Sequence, residues 1–134
     1  MDKKALQELY LSNLRDEGFR GEIDSDGDIR FKYEGMNCFI VVHEDDDKFH
    51  KIIFPQFWTL ETQDEKIKAL IITNALNRQY KNGKLYLVGD LENVTATVEL
   101  FLNNEGDFKV FFLRMMSILQ GMANDFASEM KKTD

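Results

Sequence analysis

The sequence predicts an antiparallel α+β domain with elements in the order α-β-β-β-β-α-β-β-α. Three observations carry this reading. Apolar residues recur at helical spacing near both ends of the chain. A capping box, Thr62-Gln63-Asp64-Glu65, opens a third helix in the middle. Between these lie short alternating or apolar runs separated by turn residues, close enough to pair as hairpins. At 134 residues the whole of 1–134 reads as a single domain, long enough for one continuous core without disulfide staples.

Leu6, Leu9, Tyr10 and Leu14 define a first amphipathic helix over residues 2–17, with Asp2 as its cap and Gly18 as its stop. Strand patterns at 22–24 and 28–33 flank Ser25-Asp26-Gly27. Ile29, Phe31 and Tyr33 alternate with Arg30, Lys32 and Glu34, so this is a hairpin with one wet face. Asp24, Asp26 and Asp28 resemble part of a calcium loop, but the glycine falls too early and Gly35 stands where the bidentate glutamate belongs. The segment therefore reads as a tight turn.

The continuous apolar run 38–42 predicts an interior strand covered on both faces, with Cys38 a small buried hydrophobe. His43-Glu-Asp-Asp-Asp-Lys-Phe-His50 gathers two imidazoles and four carboxylates, but at no metal-binding spacing, and reads as a solvated loop. Phe49 to Phe54 is a further strand that Pro55 ends. Phe57 and Trp58, just before the capping box, are either core cover or interaction anchors.

The central helix is apolar on two sides, Ile67, Leu70 and Ile71 on one and Ile72, Leu76 and Tyr80 on the other, which predicts cover on both. Asn74, Asn77 and Arg78 continue the first side. Asparagine is a poor helix former, so this polar strip implies hydrogen bonds to a neighbouring loop or strand end, or ligand contacts. The helix ends by Asn82-Gly83, where left-handed backbone is expected, and strands at 84–88 and 94–102 form a hairpin.

The last helix, 107–131, is capped by Asn103 or Asn104 and carries a broad apolar stripe from Phe108 to Met130. Val110 and Leu113 point away from that stripe, and Met116 and Ile118 sit at its edges. This is more apolar surface than one sheet covers, and it predicts a second partner, either a helix of this chain or a second subunit. Four of the six methionines lie here, on the adaptable kind of surface that takes varied partners.

Composition excludes several function classes. A net charge of -7 disfavours nucleic acid and anionic membrane, both of which call for clustered cations. The single cysteine fits a reducing compartment, and no stretch has the pattern of a signal peptide or membrane span, so a cytoplasmic protein is expected. No nucleophile and base, phosphate loop or metal motif emerges, which predicts no enzyme, no cofactor and no metal.

Residues 18–34, 39–46, Phe54-Pro-Gln-Phe-Trp58, 75–81, 84–86 and 98–102, in collinear order, resemble the YbjN-type domain. That family of small bacterial proteins is described as candidate sensory transduction regulators and is similar in fold to type III secretion chaperones. The resemblance implies a twisted antiparallel sheet with helices packed on it, a homodimer, and binding of extended client segments along apolar patches. An additional strand before the central helix departs from the chaperones. The leading expectation is a non-enzymatic protein-binding module, chaperone-like or a regulatory adaptor, with an apolar groove in an acidic rim. Its interaction residues are Phe57, Trp58, Val110, Leu113, Met116 and Ile118. The alternative is a small-ligand sensory domain in which Asn74, Asn77 and Arg78 line a pocket between the central helix and the sheet.

Overall fold

The computed structural model describes residues 1–133. Helix α1 (Lys3–Asp16) starts where expected, the Asp2 carboxylate accepting from the Ala5 N–H at 2.8 Å. Strands β1 (Glu22–Ile23), β2 (Ile29–Tyr33), β3 (Met36–Val41) and β4 (Phe49–Thr59) precede α2 (Gln63–Asn77). Strands β5 (Gly83–Val88) and β6 (Asn93–Phe101) and the long α3 (Glu105–Lys131) complete the predicted order. The six strands form one antiparallel sheet in the order β1-β2-β3-β4-β6-β5.

Strand alternation puts Ile29, Phe31, Cys38, Ile40, Ile52, Val94, Ala96 and Val98 on one face of the sheet, in a single core with the buried residues of all three helices. Tyr10, Phe108, Phe112 and Phe126 are the largest side chains sealed in it. The opposite face carries Arg30, Lys32, Phe39, Lys51, Ile53, Glu99 and Phe101, none of them fully buried. Strand β3 is therefore interior to the sheet yet covered on one face only, because every helix packs on the same side. Asp24 closes the first turn, its Oδ1 accepting from the N–H groups of Asp26 and Asp28.

Three further expectations are corrected. Strand β4 runs through Pro55, because its register against β6 shifts between Phe54 and Trp58. Gln56 there takes φ 48° and donates its N–H to Thr95 Oγ1, so the proline falls where no ladder bond is required. His50 belongs to β4 and is buried, with Nδ1 2.7 Å from the Tyr10 hydroxyl; only His43 lies in the acidic loop. Finally, α2 buries Ala69, Ile72, Thr73 and Leu76 against β5 and α3, but Ile67, Leu70 and Ile71 face solvent.

The capping box forms as read, the Glu65 N–H donating to Thr62 Oγ1 at 3.1 Å and the Glu65 carboxylate accepting from the Glu61 N–H. At the end of α2 it is Asn82, with φ 60°, that turns left-handed. Gly83 is needed for room, since a Cβ there would meet Met122 Sδ at 2.6 Å. Among the described residues no helix is long and apolar enough to cross a membrane.

Candidate functional site

Strand β6 outruns its neighbour β5, and this mismatch creates the site. The last register pair between them is Gly83 with Val98. Asn82 adds one more link, its C=O accepting from the Glu99 N–H at 2.9 Å and its Nδ2 donating to the Glu99 C=O at 3.3 Å, before its left-handed turn carries the chain away. Strand β6 continues to Phe101, paired there only with Phe49 of β4. Alternate residues of an antiparallel strand direct their peptide groups to opposite sides. Because Glu99 directs its own toward β5, Phe101 directs its N–H and C=O into the lane that β5 has vacated, and its side chain is 74% exposed on the open sheet face.

Beside that lane, on the helix side, lies a cleft of about 230 Å³ lined by Lys81, Asn82, Leu100, Leu102, Phe111, Arg114, Met115 and Ile118. Its walls are mostly aliphatic and aromatic, and its charged rim is Lys81 and Arg114. Neither cation belongs to an ion pair among the described residues. On α3 the apolar surface continues outward through Phe111 to Val110, 73% exposed, and Leu113, 48% exposed.

The expected interaction residues do not form one patch. Val110 and Leu113 are exposed beside the cleft, and Ile118 lines it. Met116 is corrected to a core residue with no exposed surface: α1 and α2 flank α3 on the sheet and widen its buried arc past the edge that helical spacing suggested. Phe57 and Trp58 are half-buried, each edge-to-face with Phe126 at 5.8 Å. Phe126 lies 16 residues along α3 from Val110, about 24 Å at 1.5 Å per residue. The rim, expected to be acidic, is cationic.

The polar strip divides in the same way. Asn77 Nδ2 donates to the Leu85 C=O at 3.1 Å and its Oδ1 accepts from the Leu85 N–H at 2.8 Å, pinning α2 to the outer edge of β5. Asn74 and Arg78 are exposed, and none of the three lines the cleft. The sequence reading missed Lys81, Asn82, Leu100, Leu102, Phe111, Arg114 and Met115. The breaker Asn82-Gly83 was the available signal that one strand of the hairpin starts late.

Elsewhere the reactive side chains are held in neutral forms. Burial pushes the Cys38 thiol up to about 12, out of thiolate range at neutral pH. Burial likewise holds His50 below its ordinary 6.5 and Tyr10 above the usual phenol range.

No protein-family model matches the chain, and no curated protein matches it significantly. Solved structures do. An uncharacterized protein from Methanothermobacter thermautotrophicus superposes with a TM-score of 0.56 at 15% identity, covering 92% of this chain and 93% of the other. YbjN from E. coli, described as "a putative transcription regulator", superposes with a TM-score of 0.58 at 15% identity over the same shares of the two chains. Six antiparallel strands and three helices in this order are thus the fold of YbjN, and this chain shares it.

Proposed function

We propose that the chain is a non-enzymatic protein-binding module, a regulatory or chaperone-like adaptor, which seats an apolar anchor of its partner in the cleft between β6 and α3. The observation that supports this most is the coincidence of the cleft with the unpaired backbone of Phe101 and the exposed Val110 and Leu113. A volume of about 230 Å³ is below the range of pockets that enclose a drug-sized ligand and suits one bulky side chain. Lys81 and Arg114 favour a partner with a carboxylate next to that side chain. The buried thiol of Cys38 and the buried, Tyr10-bound imidazole of His50 leave little for covalent or acid–base chemistry, which agrees with a binding role.

A photo-crosslinking phenylalanine analogue at Phe111, introduced in the cell of origin, tests the assignment. One discrete protein adduct is expected, weakened by Arg114→Glu and absent when the probe is moved to Glu61. A smear, or equal adducts from both positions, would count against the cleft. The second reading, a small-ligand sensor, is favoured by the same two unpaired cations over an apolar floor. Native mass spectrometry on freshly purified protein would reveal a retained small anion if that reading holds.

A further inference from the structure

A different surface, on α2, carries an inference that does not depend on the cleft. Ile67, Leu70 and Ile71 are 49%, 45% and 65% exposed, three large aliphatic groups within little more than one helical turn. They belong to an outward face that begins at Asp64 and runs on through Asn74 and Ala75 to Arg78, all exposed. A branched aliphatic cluster of this size on a helix held firmly by its other face marks an interaction surface.

The charges say what covers it. Most ionic groups of α2 are engaged within the chain. Glu65 serves the cap, Lys66 Nζ donates to the Asp90 C=O at 3.2 Å, and Lys68 Nζ donates to the carbonyls of Met130 and Lys132 at the end of α3. Asp64 and Arg78 are in no ion pair among the described residues. They lie seven residues, about two turns, on either side of Ile71 and on the same face. An acid and a base placed symmetrically about an apolar centre are complementary to their own image under a two-fold rotation. Two such helices laid antiparallel, crossing at Ile71, set Asp64 of each against Arg78 of the other and Ile67 against Ala75, with Ile67, Ile71 and Ala75 forming the i±4 ridge that packs.

We infer that this face joins two copies of the chain through an antiparallel pair of α2 helices centred on Ile71. The cleft stays open in such a pair, so self-association and partner binding use separate surfaces.

Sedimentation velocity on the full chain tests the inference. The wild type is expected to be a dimer at micromolar concentration and Ile71→Asp a monomer with unchanged far-UV circular dichroism. Asp64→Arg alone and Arg78→Asp alone should each weaken the dimer by on the order of tenfold by setting like charges opposite. The double variant should restore it, which only this antiparallel register predicts. Ile71→Cys should form a disulfide-linked dimer on mild oxidation, whereas the wild type should not, because Cys38 is buried. A monomeric wild type, a dimer indifferent to Ile71→Asp, or a double variant no tighter than the singles would overturn the inference. The first of these outcomes would leave the face to a different protein.

Discussion

His50 shows how far one buried side chain sets a property of the whole protein. The imidazole accepts from the Tyr10 hydroxyl at Nδ1 and lies against Phe108, with ring centroids 5.4 Å apart. Burial is the largest influence on it and holds its pKa below 6.5, against the pull of Asp46 and Asp47, while His43 and Lys48 also lower it. The unfolded chain therefore takes up this proton first as pH falls. The contribution of His50 to stability is complete above pH 6.5 and is lost progressively as pH drops from there toward the folded-state value. Urea unfolding between about pH 8 and pH 5 should show the midpoint falling below that point, and His50→Gln should flatten the slope in this window. In the sequence this histidine reads as part of an acidic loop. Only its pairing with Leu100 of β6 reveals it as a strand residue facing the core.

At the scale of the element, α2 is tied down at three places. Its N-terminus is closed by the capping box, its middle is buried through Ala69, Ile72 and Leu76, and its C-terminus is clamped by Asn77 on Leu85. The clamp protects an otherwise unpaired position on an edge strand, where exposed peptide groups invite stray pairing. Asn77→Ala removes both hydrogen bonds and should lower stability by about 1–2 kcal/mol, with faster amide exchange at Leu85 as the local sign. Asparagine in mid-helix was legible as a tertiary contact because its intrinsic cost demands a compensating partner. Which partner it takes was not legible, since that depends on how α2 lies across β5. Helix α3 teaches the complementary lesson. Helical spacing orders its residues around the axis, and Met116 and Val110 are both apolar at or beyond the stripe edge. Neighbouring helices close over the first and leave the second in solvent.

For the whole molecule, one core joins the sheet to all three helices, and the core runs the length of α3 from Phe108 to Phe126. No element has a hydrophobic partner of its own that would let it melt apart from the rest. Thermal unfolding at fixed protein concentration should therefore be a single transition. Far-UV circular dichroism and the fluorescence of Trp58, which sits on Phe126, should give the same midpoint. A separate early fluorescence change would mean that the bulged end of β4 is an independent unit. The one-sided arrangement of helices also leaves the opposite sheet face open, with Phe49 against Phe101 at 5.3 Å and ion pairs such as Lys84 with Glu99 partly covering it.

The order and type of the elements, the caps at Asp2 and Thr62, the first turn and the burial of Cys38 were determined by local sequence. Each rests on a periodicity, a hydrogen-bonding side chain or a glycine whose effect reaches only a few residues. The tertiary structure alone decided that β4 passes through Pro55, that Ile67, Leu70 and Ile71 face water, that Met116 is core, and that a cationic rather than acidic rim borders an apolar cleft. Those outcomes depend on which side of the sheet the helices occupy and on the unequal lengths of β5 and β6. Both are set by packing among distant segments, and no local window of the chain encodes them.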